Sequence, residues 1–583
     1  MEGKYTNERN VQMLIKILKE NKIKKVIASP GTTNISFVAS IQNDSFFEIY
    51  SCVDERSACY MACGLAVESG EPVVLTCTGA TASRNYLSGL TEAYYRKIPI
   101  LAVTCAQHFS RLGSYSPQCL DRTSQLKDIV NLSVQVPSVN SIDDERGCNL
   151  LLNKAVLELK RNGGGPVHIN IETKIEGKKG INVEKLPDTK IIERIQYNDN
   201  VPNIIQDKVG IFVGAHFKWD EELTKQVDIF CEKYNGCVIC DHTSNYHGKY
   251  RILGNILYNQ DKYVSKFGNF NLIIHIGSVT GSYMNVPSNE IWRVNPDGEV
   301  RDAFCKIKKV FQMEEVDFFK KYNSLSKSVN ISNYKNLSSE IESIRKISME
   351  KDYPFSNIYV AKNIIERIPN NSTVHLGILN SLRSWNFFET TKSLYVYSNT
   401  GGFGIDGPMS TLIGASLSNP RKIYYGVVGD LAFFYDMNSL GNRNVKNNIR
   451  IVLINNGCGT EFHNYNHPAA QFGDEANSFI AANGHFGNKS ELLVKNYVEN
   501  LGFEYVSAKN KEEFLKNVDY FTEEKLHEKP LVFEIFTDSN DESEALRIIR
   551  NLCFSTDGYL IKKAKSLLSP DAKKVIKKLI GKE

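Results

Sequence analysis

The chain of 583 residues is too long for one core and suits about three domains of ordinary size. Hydrophobic residues make up 42% and charged residues 23%, so each domain can bury a core and general disorder is excluded. Net charge is +4, but eight lysines against two acids from Ile561 to Glu583 give a local +6 and leave −2 elsewhere, which excludes the spread basic surface of a nucleic-acid binder.

No apolar run is long enough to span a membrane, and the opening MEGKYTNERNVQML lacks the blocks of a secretory signal. Thirteen cysteines, an odd number, fit reduced thiols and a cytoplasmic location. The single CxxC, Cys237 and Cys240, reads as a buried strand, because no second pair completes a zinc site.

Residues 1–180 alternate strand and helix patterns. Apolar β-rich runs at Lys25–Ala28, Val73–Thr76 and Ile100–Val103 alternate with helical periodicity in NVQMLIKILKEN and RSACYMACGLAVESG. That order predicts a parallel sheet covered on both faces. After a polar stretch, IEGKKGINVEKLPDTK, a second α/β unit is expected over 200–325, with strands at Val209–Val213, Gly236–Asp241, Leu272–Ile276 and Ile291–Val294. The segment Asn323–Ser339, rich in Ser, Asn and Lys, reads as a linker.

A third unit over 350–545 has expected strands at Tyr424–Val428, Ile451–Ile454 and Leu531–Ile535. The architecture is therefore α/β, with three doubly wound parallel-sheet domains. A basic amphipathic tail, 556–583, follows. Its pattern predicts a short helix that Ser569 can cap with Pro570 at the first helical position, and in which Val575/Leu579 and Ile576/Ile580 would form an apolar stripe among lysines. Such a stripe suits peripheral contact with an anionic membrane surface or a partner.

Two segments of the third unit carry chemistry, YYGVVGDLAFFYDMNSL and IRIVLINNGCGTEF. Each is an apolar strand ending in a polar, turn-prone cluster, where ligands of open parallel sheets bind. Asp430 offers a carboxylate, Asn456 an amide oxygen and Cys458 a backbone carbonyl. This all-oxygen set suits Mg²⁺ completed by phosphate and water. Upstream, Glu55 in VDERSACYM follows an apolar run and opens a helix.

Gly429-Asp430 and Asn455-Asn456, with Asp430 and Asn456 26 residues apart, resemble the diphosphate motif of thiamine-diphosphate-dependent enzymes of the acetolactate synthase and 2-oxo acid decarboxylase type. The resemblance implies a pyrimidine-binding domain at 1–180, a central domain, and a diphosphate- and Mg²⁺-binding domain at 350–545. It implies that Glu55 hydrogen-bonds the aminopyrimidine N1′ and so promotes loss of the thiazolium C2 proton. It assigns Ile405, in the Gly-rich block SNTGGFGIDGPMS, as the apolar wedge under the cofactor. Gly79, Ser381, Gly404, Gly429, Leu431, Gly459 and Thr460 join the cofactor set, and Gln118 lies near the reacting carbon. In this family the glutamate and the aspartate act from opposite subunits, so a homodimer or tetramer with active sites at the subunit interface is implied.

Within the family the chain is similar to the menaquinone-pathway 2-succinyl-5-enolpyruvyl-6-hydroxy-3-cyclohexene-1-carboxylate synthases, through SPGTTN, VDERSACYMACGLAVESGEPVVLTCTGATASRNYLSGLTEA, GIDGPMSTLIGAS and VGDLAFFYDMNSL, the last with the Gly-Asp-Leu variant. The departures fall on arginines. Thr32-Thr33 replaces Ser-Arg, Ala106-Gln107-His108 replaces Asp-Arg-Pro, Trp385 stands for an arginine, and Ser398-Asn399-Thr400-Gly401 replaces Ser-Asn-Arg-Gly. Arginine is the residue suited to paired recognition of carboxylates. Cofactor machinery kept beside an altered pocket implies a different substrate.

Thr33, His108, Trp385, His463 and His467 are the candidate substrate residues, and Arg84, Arg111, Arg122 and Arg383 the candidates to compensate for lost charge. The expected reaction is decarboxylation of a 2-oxo acid with transfer of the acyl carbanion equivalent to a small-molecule acceptor. Simple decarboxylation to an aldehyde is the alternative. A non-catalytic cofactor-binding module is a third reading, against which the retained Glu55, Asp430 and Asn456 stand.

Overall fold

The computed structural model describes residues 5–217, 219–282, 284–325, 333–484 and 489–556. The expected tail lies outside these residues apart from its first position. The chain divides into two compact units, residues 1–201 with 290–314, and residues 202–289 with 315–583.

The first unit is built on a six-stranded parallel sheet: β1 (Lys25–Ala28), β2 (Glu48–Ser51), β3 (Val73–Thr78), β4 (Ile100–Ala106), β5 (Leu132–Val136) and β6 (Val167–Glu172). The spatial order is β2-β1-β3-β4-β6-β5. The residues of β4 and β6 are buried throughout, as expected where helices cover both faces. Alternate side chains feed two cores. Val26, Val74, Leu101 and Ile169 pack with α1 (Arg9–Glu20) on one face. Ile27, Leu75, Cys77 and Ala102 pack on the other with α2 (Glu55–Ser69) and α3 (Leu87–Tyr95). Helix α2 is punctuated at both ends: the Asp54 carboxylate accepts from Ser57 N–H at 2.9 Å, and Gly70 stops it in the left-handed region. The unit also holds the strand Ser288–Val294 from Glu290 onward, with Ile307–Gln312 and Glu193–Gln196, all parallel and paired in that order.

The second unit carries parallel strands at Val209–Val213, Cys237–Cys240, Arg251–Leu253 and Phe270–Ile276. The strands expected for a central unit are thus divided between the two compact units. Cys237 and Cys240 are buried, burial pushes the Cys237 thiol up to about 12, and the pair forms strand as expected. A six-stranded parallel sheet follows: β7 (Thr373–Leu376), β8 (Tyr395–Tyr397), β9 (Tyr424–Gly429), β10 (Ile449–Asn455), β11 (Glu504–Ala508) and β12 (Leu531–Phe536), in the order β8-β7-β9-β10-β12-β11.

The linker reading of Asn323–Ser339 is corrected. Residues 323–324 end the helix Glu315–Ser324, and 333–339 belong to the helix Asn333–Glu350. Its polar composition hid a stripe of Leu337, Ile341, Ile344 and Ser348 at helical spacing, all buried. Among the described residues, no helix is long and apolar enough to cross a membrane.

Candidate active site

In the second unit, β7, β9 and β10 lie side by side and point the same way, so their carboxyl ends form one edge. Asp430 opens the helix Asp430–Asp436 at the end of β9, with Gly429 as N-cap. Its carboxylate is buried. One oxygen accepts from Leu431 N–H at 2.7 Å and the other from Gly457 N–H at 2.6 Å. Burial nevertheless pushes the carboxyl up to about 6, against the lowering effect of these N–H groups. Among the described residues no lysine or arginine pairs with it.

Beside it, beyond β10, Gly457 takes φ +75 and turns the chain so that its N–H faces Asp430. The amide oxygen Oδ1 of Asn456 is buried with no hydrogen-bond partner. The Cys458 carbonyl accepts from Thr460 N–H at 3.0 Å and keeps a second lone pair. A buried carboxylate without a cation, an orphaned amide oxygen and a carbonyl are what a hard divalent cation needs. Among the described residues no three His, Cys, Asp or Glu side chains cluster to hold a metal, so a set of mixed oxygens is the relevant one.

The remaining residues of this edge fall in distinct places. Ser381 is buried and accepts from Asn357 Nδ2 at 3.3 Å. Gly459 N–H donates to the Ala481 carbonyl, and Thr460 Oγ1 lies 3.6 Å from Cys458 Sγ. Ile405 is half-buried and packs on the core formed by Met409, Leu412 and Phe433, one residue after Gly404 in the turn before the helix Pro408–Ser416. Trp385 is turned into the core, only 2% exposed, with its indole N–H unpartnered. His463 Nε2 is buried and unpartnered, whereas His467 accepts from Ala469 N–H and caps the 3₁₀ segment Pro468–Ala476.

One buried acid escaped the sequence reading. Glu542, in the helix Ser539–Ile549, accepts from Asn357 N–H at 2.9 Å and Thr537 Oγ1 at 2.8 Å. Burial pushes its carboxyl up to about 7, and the nearby Asp430 charge adds to the rise. No local motif marks it; it reaches the site from a helix 112 residues beyond Asp430.

In the first unit, Glu55 is the first residue of α2 and half-buried, with Asn85 Nδ2 3.5 Å from its Oε2. Gly79 follows the last residue of β3. A Cβ there would stand 2.5 Å from Arg122 Nη2 and 2.7 Å from the Cys105 carbonyl, so only glycine fits. Thr33 is buried with its hydroxyl committed inward, to the Cys105 carbonyl at 2.5 Å and Thr78 Oγ1 at 2.6 Å. His108 is exposed and caps a 3₁₀ turn through Ser110 N–H. Gln118 is exposed and held at φ +62.

Among the candidate arginines, Arg122 is buried against Asn170 Oδ1 and Ser83 Oγ, and burial lowers its pKa. Arg84 donates to the Asp121 carbonyl and Arg111 to Gln107 Oε1. Arg383 pairs with Glu461.

The family description "Thiamine pyrophosphate enzyme, N-terminal TPP binding domain" matches residues 9–126, the stretch that contains Glu55 and Gly79. A Bacteroides thetaiotaomicron 2-succinyl-5-enolpyruvyl-6-hydroxy-3-cyclohexene-1-carboxylate synthase is 29% identical over 568 residues, which covers 93% of this chain and 98% of that one. The Bacteroides fragilis synthase of the same name is 28% identical over 566 residues, with the same coverage. The chain is a thiamine-diphosphate-dependent enzyme. Among solved structures, the Rhodococcus jostii RHA1 thiamine diphosphate-dependent 4-hydroxybenzoylformate decarboxylase is similar at 15% identity and a TM-score of 0.39, covering 91% of this chain and 99% of that one.

Proposed function

We propose that this enzyme decarboxylates a 2-oxo acid and transfers the acyl fragment to a carbonyl or alkene acceptor, with Mg²⁺ anchoring the cofactor. The observation that carries the reading is the convergence of the buried Asp430 carboxylate, which has no lysine or arginine partner among the described residues, with the orphaned Asn456 Oδ1 beyond adjacent strands. Asp430, Asn456 and the Cys458 carbonyl would hold the metal. When bound, thiamine diphosphate supplies the carbon nucleophile and the electron sink for loss of CO₂. Glu55 would hold a proton at the aminopyrimidine, and Ile405 would support the cofactor from below. Carboligation is preferred over release of an aldehyde because the similar relatives are named as synthases.

The active form is proposed to be a homodimer or a dimer of dimers. Helix α2 supports this: Tyr60 and Met61, one turn beyond Glu55, are 48% and 46% exposed, and Val67 further along is 53% exposed. An apolar stripe next to a catalytic acid is a surface to be covered. The test is CO₂ release from a panel of 2-oxo acids with thiamine diphosphate and Mg²⁺, with product analysis in the presence of acceptor aldehydes. Release with a new carbon–carbon bond supports a synthase, release of the free aldehyde supports the decarboxylase, and no release from any 2-oxo acid overturns both.

A further inference from the structure

Arg383 lies on the helix Asn380–Trp385, beyond the carboxyl end of β7. Glu461 lies on the 3₁₀ turn Thr460–His463, beyond β10. Strand β9, which ends at Gly429 and Asp430, runs between those two strands. The two side chains meet across this edge through paired bonds, Nη1 to Oε2 at 2.8 Å and Nη2 to Oε1 at 2.9 Å, each side chain only 17% exposed. Two amides close the group: Asn464 Nδ2 donates to Glu461 Oε2 and to Asn380 Oδ1, which also faces Arg383 Nη1 at 3.3 Å.

The Nη1/Nη2 edge of a guanidinium is filled by one carboxylate in this geometry. Here that carboxylate is supplied by the chain itself. A substrate carboxylate arriving at this edge meets a neutral pair, and binding it would strand a half-buried Glu461 charge. Trp385, two residues on from Arg383, is turned into the core and offers no charge in its place.

We propose that the Arg383–Glu461 pair is a specificity device that shuts carboxylate recognition at this edge, where the side chain of the donor would lie. The donor is then a 2-oxo acid with an uncharged side chain, and a dicarboxylic 2-oxo acid is refused. The inference rests on the proposed decarboxylation for its substrate class, but the pair's effect on anion binding is measurable without turnover.

The experiment compares wild type, Glu461→Gln and Arg383→Gln/Glu461→Gln, each with thiamine diphosphate and Mg²⁺. Glutarate binding is followed by calorimetry, and kcat/KM is measured for pyruvate and 2-oxoglutarate. Wild type should favour pyruvate and bind glutarate weakly. Glu461→Gln frees the guanidinium, and should tighten glutarate and shift the substrate ratio toward 2-oxoglutarate by at least about tenfold, the effect of one charge-assisted hydrogen bond. The double variant should lose that gain. Equal glutarate affinity in wild type and Glu461→Gln overturns the proposal, as does a wild-type preference for 2-oxoglutarate, which needs no variant to fold. If wild type releases CO₂ from no 2-oxo acid, the proposed reaction fails while the glutarate measurement still decides the role of the pair.

Discussion

The two acids at the centre of the proposed chemistry sit in opposite kinds of surroundings. Asp430 is buried, gripped by two backbone N–H groups, and set beside an amide oxygen with nothing to bond. Glu55 is half-buried, has one long contact to Asn85, and is followed on its helix by the exposed Arg56, Tyr60 and Met61. The difference separates anchoring from proton handling. A metal ligand gains from being fixed before its ion arrives, since ordering costs are then met by the fold. An acid that works at the edge of a flat ring must stay open until that ring and its cover are present.

The comparison breaks first at its two centres. Asp430→Asn should abolish Mg²⁺-dependent retention of thiamine diphosphate and with it all turnover, by more than the roughly 10–100-fold that even an outer-shell change costs a metal site. Glu55→Gln should keep the cofactor bound yet slow turnover by about 10²–10⁴-fold, the usual worth of a positioned acid–base group. Calorimetry of cofactor binding and C2 proton exchange by NMR separate the two. Cofactor loss in Glu55→Gln, or unchanged exchange, would remove the distinction between anchor and proton handler.

A smaller effect sharpens the open half of the comparison. If the exposed face of α2 is covered by a second copy, Met61→Glu should place a charge in that contact and weaken association by at least about tenfold. Mass photometry across a dilution series would show the shift, and activity should fall in step with the loss of dimer. A Met61→Glu protein that is as oligomeric as wild type would place the interface elsewhere.

Legibility from sequence followed the same division. Asp430 and Asn456 could be read because each closes an apolar strand, and the expected strands Tyr424–Val428 and Ile451–Ile454 lie within the observed β9 and β10. Lys25–Ala28 and Val209–Val213 appear with the expected limits. The run expected before Glu55 appears as the half-polar strand Glu48–Ser51, whereas Glu504–Ala508 carried too little apolar contrast to be noticed. Contacts made across long stretches of chain were invisible. Arg383 and Glu461 are 78 residues apart, and nothing in either local segment announces a pair. Thr33 illustrates the converse: its position suggested a substrate contact, but its hydroxyl is held by Thr78 and the Cys105 carbonyl. Composition misled at Asn333–Ser339, where Lys335, Asn336 and Ser339 on the exposed side concealed a buried helical stripe.

The least dramatic test concerns Glu542, buried behind the Asp430 edge. Its carboxyl is raised to about 7 from an ordinary value of 4.5, first by burial. A raised acid stabilises the fold while protonated. That contribution is complete below pH 4.5, declines as pH rises through the folded value near 7, and is gone above it. The difference of about 2.5 pH units corresponds to roughly 3.4 kcal/mol at most. In metal-free protein, Glu542→Gln keeps the acceptor oxygen for Asn357 and Thr537 but removes the titration. Urea unfolding should therefore find the variant about 1–3 kcal/mol more stable than wild type at pH 8 and nearly equal to it at about pH 4. A difference that is the same at both pH values would mean that Glu542 holds its helix in place through hydrogen bonds alone, and that its burial beside Asp430 carries no charge cost.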